Sequence, residues 1–76
     1  MPTLGEFIAR ARSYGYRKRA IRIPELGARI LYLRRGPASS PKLIELPAVR
    51  ESERLTRAVL ADLCDRSGVP LEDFGL

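Results

Sequence analysis

Apolar residues near the start of the chain stand at Leu4, Phe7, Ile8 and Ala11, the i, i+3, i+4, i+7 spacing of one helical face. Thr3 precedes Glu6 by three residues, the reciprocal spacing of a capping box. Arg10 and Arg12 lie off the apolar stripe, and Gly15 can take the left-handed conformation that ends a helix. The pattern predicts a helix over residues 4–14. The period then changes to two. Over residues 17–23, Ile21 and Ile23 point one way and Ala20 and Arg22 the other, which predicts a half-buried strand with a basic outer face. Pro24 stops it and Gly27 allows a turn.

Residues 29–34 read as a second, strongly apolar strand flanked by arginine. Gly36, Pro37, Ser39, Ser40 and Pro41 form a turn-rich loop. A third strand over 42–46 is closed by Pro47 and should pair antiparallel with the second. Helical spacing returns over 52–67, where Leu55, Val59 and Leu63 form one row with Leu60 and Cys64 beside it. Gly68 caps this helix, and Pro70 opens a short final turn to Phe74. The pattern therefore predicts an α+β domain over residues 1–76. Its order is α-β-β-β-α, with two helices on one face of a three-stranded antiparallel sheet.

Seventy-six residues change this picture by limiting the core. A domain of this size buries only ~60% of the surface of its unfolded chain, and small scaffolds commonly add a disulfide, a metal or a partner. With one cysteine and no histidine, the chain has neither an internal disulfide nor a histidine–cysteine zinc set. A partner or self-association is the remaining source of added stability. No apolar run has the length of a membrane span and the N-terminus lacks a signal-peptide layout, so the expected compartment is the cytoplasm.

Charge sharpens the reading further. Twelve of the fourteen basic residues are arginine. Residues 1–38 carry nine basic and two acidic side chains, whereas residues 39–76 carry five basic and seven acidic ones. Such asymmetry points to a nucleic-acid surface or an acidic protein partner. Arginine's planar fork matches phosphate oxygens two at a time. Arg17, Lys18, Arg19 and Arg22 on the first strand, with Arg29, Arg34 and Arg35 on the second, are expected to form one basic patch. Tyr14, Tyr16 and Tyr32 can serve stacking or ribose contacts, or pack in the core or on the sheet.

Catalytic chemistry is poorly represented. Without histidine the chain lacks the side chain that titrates near neutrality, which removes hydrolytic triads and histidine-based RNA cleavage. Cys64 lies on an apolar helix side near Asp62 and Asp65, a setting for packing rather than for a thiolate. No glycine-rich phosphate loop is present. Glu6 reads as a cap and Glu45 as an outward strand residue, so no carboxylate pair is evident, and no cofactor is implied.

Several local strings resemble the HicA-type (YcfA-like) toxins of bacterial toxin–antitoxin pairs. The tail carries Leu63 and Cys64, then Ser67 and Gly68, then Val69, and finally Glu72, Asp73 and Phe74, similar to that family's ending. Gly15 and Tyr16 resemble its glycine-aromatic step out of the first helix, and Leu46 and Pro47 its strand ending. Gly27, Ala28 and Arg29 fall where the family carries glycine-serine-histidine. The resemblance implies a fold like a double-stranded-RNA-binding domain, messenger RNA as ligand, and an antitoxin as partner. The family histidine that cleaves RNA is replaced by Arg29, and a second histidine after the apolar-Pro pair by Ala48 and Val49. A permanently protonated arginine stabilises a phosphorane but does not act as a general base. The reading is thus an RNA-binding HicA-like protein without a catalytic residue. Its RNA contacts are expected at Arg17, Lys18, Arg19, Arg22, Arg29, Tyr32, Arg34 and Arg35. Two alternatives stay open: a protein-interaction subunit whose basic face docks an acidic partner such as an antitoxin, and an mRNA interferase with a non-histidine mechanism. In the first of these the acidic second helix, with Glu51, Glu53, Asp62 and Asp65, is a further contact surface, and a homo-oligomer is a further partner state.

Overall fold

The computed structural model describes residues 1–76, except for the side chains of Leu26 and Ala28. Helix α1 (Leu4–Ser13) begins at the predicted capping box. The Thr3 hydroxyl accepts from the Glu6 amide at 3.1 Å, and Glu6 Oε1 accepts from the Thr3 amide at 3.3 Å. Its stripe Leu4, Phe7, Ile8 and Ala11 is buried, as the spacing requires. Strands β1 (Arg17–Ile23), β2 (Ala28–Arg35) and β3 (Lys42–Glu45) form one antiparallel sheet in the order β1-β2-β3. Between β1 and β2 the chain turns through one 3-10 turn (Pro24–Leu26), closed by Gly27 at φ 58°. Helix α2 (Arg57–Ser67) and a 3-10 turn (Leu71–Phe74) complete the α-β-β-β-α order. Among the described residues, no helix is long and apolar enough to cross a membrane.

The core lies between the two helices and one sheet face. Leu33 and Ile44, a cross-strand pair, share one buried cluster with Phe7, Leu60 and Leu63, while Phe74 stacks on Phe7 with ring centroids 5.8 Å apart. Leu55 and Val69 belong to the same buried cluster.

The second helix starts five residues later than its apolar spacing implied. Thr56 is the N-cap, its hydroxyl accepting from the Val59 amide at 3.2 Å. Residues 51–55 instead run beside the N-terminus. Leu4 and Gly5 donate to the carbonyls of Glu53 and Glu51, and Leu55 donates to that of Pro2. A Cβ on Gly5 would stand 3.1 Å from the Glu51 oxygen, so the close approach depends on glycine. Glu51 and Glu53 therefore do not belong to an acidic helix face; only Asp62 and Asp65 do.

The inward face of β1 is also opposite to expectation. Tyr16, one residue before the strand, is fully buried, and its hydroxyl donates to the Ser67 carbonyl at 2.7 Å. Strand side chains alternate, so this anchor turns Lys18, Ala20 and Arg22 toward the helix side. Arg17, Arg19, Ile21 and Ile23 are turned to the outer face. Register agrees, because Lys18 pairs with the buried Leu33 and Ile21 pairs with Ile30. Ile21 remains 45% exposed. Nor does β1 bury its helix-side residues: every position but Ile23 is exposed. Ten helical residues span ~15 Å, whereas seven strand residues span ~23 Å. The far end of the hairpin is left uncovered, and the molecule measures 39 × 26 × 17 Å.

Candidate nucleic-acid interface

The eight residues expected to meet RNA divide between two faces rather than forming one patch. On the outer face, Arg17 opposes Arg34, which in turn opposes Leu43. One rung along, Tyr32 lies between Arg19 and Glu45. Ile21 and Ile30 form the next rung, and Ile23 lies beyond them on β1. On the helix side lie Lys18, Arg22, Arg29 and Arg35. The phase set by Tyr16 makes this division, since successive strand residues leave opposite faces.

The two halves have different surroundings. Lys18 forms a 2.9 Å ion pair with Glu51, and the Arg35 guanidinium lies 5.1 Å from the centroid of the Tyr16 ring. Both cations, though exposed, thus have partners within the chain, Arg35 by a cation–π contact. Arg22 and Arg29 oppose each other at the exposed end of the hairpin. Ala28, where the resemblance to HicA-type toxins puts a serine, lies outside the residues whose side chains are described.

Outer-face Arg17, Arg19 and Arg34 line a shallow concavity of about 200 Å³ with Gly15 and Gly36. These glycines have φ of 94° and 91°, a region that side chains rarely adopt, and they leave the rim low. Arg17 is held in place by its Nη1, which donates to the Tyr16 carbonyl at 2.9 Å and to that of Arg12 at 3.5 Å. Among the described residues, none of these three arginines has a carboxylate within 4.0 Å. Glu45 is the acidic residue of this face and stands opposite Tyr32.

The three tyrosines have separate places. Tyr16 is core. Tyr14 donates from its hydroxyl to Asp73 at 2.6 Å, and this bond is the main cause that raises its pKa. Tyr32 is half-buried at the centre of the outer face. Cys64 is buried, as its helix side implied. Burial raises its thiol pKa, and the contributing carboxylates are Asp73 and Glu72 rather than Asp62 and Asp65.

Sequence reading missed the apolar part of this face, formed by Ile21, Ile23, Ile30 and Leu43. The signal was present in Tyr16: counting by twos from a buried residue at 16 sends 17, 19, 21 and 23 outward. Two other concavities offer less chemistry. One, about 570 Å³, includes Arg10, Ser13 and Asp73, but Asp73 is occupied by Tyr14 and Arg10. The other, about 460 Å³, lies between the end of β3 and α2, where Asp62 pairs with Arg66 at 2.7 Å. Among the described residues, no group of three potential metal-ligating side chains is present. No family model, curated protein or solved structure matches the chain.

Proposed function

We propose that this chain is an RNA-binding protein of the HicA-like kind that does not cut RNA by the family's histidine mechanism. The observation that carries the reading is the sheet ladder itself. Three of its rungs set cation against cation: Arg17 with Arg34, Arg22 with Arg29, and Arg35 with Lys42. Like charges directly opposed across strands are destabilising. A polyanion bound on the outer face removes that cost at the Arg17–Arg34 rung, the one of the three on that face, and bound phosphates also release condensed counterions. The concavity lined by Arg17, Arg19 and Arg34 is the place where such cations converge without a carboxylate.

Cleavage has no comparable support. Arg29 stands at the family's histidine position, exposed and beside another arginine. An arginine there supplies charge but no general base.

A fluorescence titration of an RNA stem-loop, repeated between 50 and 200 mM salt, tests the reading. Contact with three or four phosphates of a single-stranded loop gives a log–log slope of about −2 to −3. The pair of substitutions Arg17→Ala and Arg34→Ala should weaken binding and flatten the slope. Absence of binding at the lowest salt refutes the proposal, and shortened RNA after long incubation would favour instead an mRNA interferase with a non-histidine mechanism.

A further inference from the structure

The outer sheet face is built for unpaired bases as well as for phosphates. From this we infer that the RNA bound there is single-stranded, an inference that rests on the RNA-binding reading above and names its substrate class. The face grades along the strands. At one end stand Arg17 and Arg34, with Arg19 one rung in; Tyr32 occupies the middle; Ile21, Ile30 and Ile23 occupy the other end. Ile21 is 45% exposed and Leu43, beside Arg34, is 53% exposed. Exposed apolar side chains in such a group mark a binding surface.

A duplex has little use for this arrangement. Its bases are stacked inside, and it is met through phosphates and 2′-hydroxyls, which want polar partners. A single strand offers both chemistries at once. Its flat bases stack on an aromatic ring or pack on apolar side chains while its phosphates meet arginine. Tyr32 lies directly between Arg19 and Glu45 and two residues from Arg34, so a base on its ring keeps the adjoining phosphate within the arginine concavity. Ile21 and Ile30, on the next rung, supply the second base platform.

Charge excludes the other occupants that an apolar sheet face suggests. A second copy laid face to face with like ends together would oppose Arg17, Arg19 and Arg34 to the same three residues. One laid with opposite ends together would bury those arginines against Ile21, Ile30 and Ile23, with only one Glu45 per copy to compensate. An acidic protein satisfies the charge, but its carboxylates provide no flat face for Tyr32.

The test compares a labelled twelve-nucleotide RNA with the blunt duplex made from it and its complement, using the full chain at low salt. The single strand should bind at least about tenfold more tightly, the scale of one stacked base. Tyr32→Ala should remove most of that preference while Tyr32→Phe keeps it. Ile21→Thr, on the exposed surface, should weaken the single strand several-fold and leave the duplex unaffected. Equal or tighter binding of the duplex overturns the inference while the RNA-binding reading stands. Indifference of single-strand binding to both Tyr32→Ala and Ile21→Thr also overturns it, as does equal binding of poly-glutamate. Failure to bind either RNA overturns both.

Discussion

The buried hydroxyl of Tyr16 donates a 2.7 Å hydrogen bond to the carbonyl of Ser67, joining the entrance of β1 to the last residue of α2. The bond satisfies one of the carbonyls that a helix leaves without an intrahelical partner. Because it pins the side chain just before β1, it also decides which side of the sheet each arginine occupies.

Tyr16→Phe keeps the ring and removes the donor. A buried carbonyl left unpaired costs ~1–3 kcal/mol. For a domain of this size that lowers the melting temperature by roughly 4–24 °C. Thermal unfolding followed by circular dichroism measures it. An unchanged midpoint would show that water replaces the hydroxyl.

Arg34→Glu should move stability and binding in opposite directions. It converts the Arg17–Arg34 rung into an opposite-charge pair, a gain of a few tenths of a kcal/mol, or about 1–4 °C in midpoint. The same change places a carboxylate in the arginine concavity and should cost RNA affinity tenfold or more. Arg29→Glu is the matching change on the other face. It should stabilise to a similar extent with a much smaller effect on affinity.

Glu45→Gln removes the carboxylate opposite Tyr32. RNA affinity should rise two- to fivefold at low salt, with a smaller gain at high salt because the repulsion it relieves is screened. Parallel titrations of the two proteins at 50 and 200 mM salt decide this. A drop in affinity would mean that Glu45 contributes a direct hydrogen bond to the ligand.

Alkaline conditions should weaken the contact between α1 and the C-terminal turn. The Tyr14 pKa is raised above its usual 10.0, chiefly by donation to Asp73. A raised folded-state pKa means that the folded protein holds the proton longer. The bond's contribution is therefore complete below pH 10 and is lost as pH climbs through the raised value. Stability measured from pH 8 to 11 should fall more steeply for the native sequence than for Tyr14→Phe. Identical slopes would assign the loss to other groups.

Much of this architecture is legible residue by residue because its determinants are local. The Thr3–Glu6 box and the Leu4, Phe7, Ile8, Ala11 stripe define α1 through contacts spanning at most seven residues. Gly27 and Gly68 stand where the backbone needs φ of 58° and 79°. The start of α2 was less legible. Leu55 has helical spacing to Val59, yet its amide pairs with Pro2, and Thr56 caps the helix instead. Apolar spacing does not reveal whether a leucine packs from inside a helix or from the strand-like segment before it.

The candidate site follows the same division. Sequence alone determined that a small α+β chain concentrates arginine in its first half, carries Tyr32 among those arginines, and has no histidine. Tertiary structure alone decided which arginines act together. Arg17, Arg19 and Arg34 share an outer face with Tyr32 and the isoleucines, while Lys18 and Arg35 are drawn into contacts with Glu51 and Tyr16. The physical reason is that a strand's alternation has a period but no intrinsic phase. Arg, Ala and Ile alternate equally well either way, and a contact 51 residues distant, from Tyr16 to Ser67, selects the side.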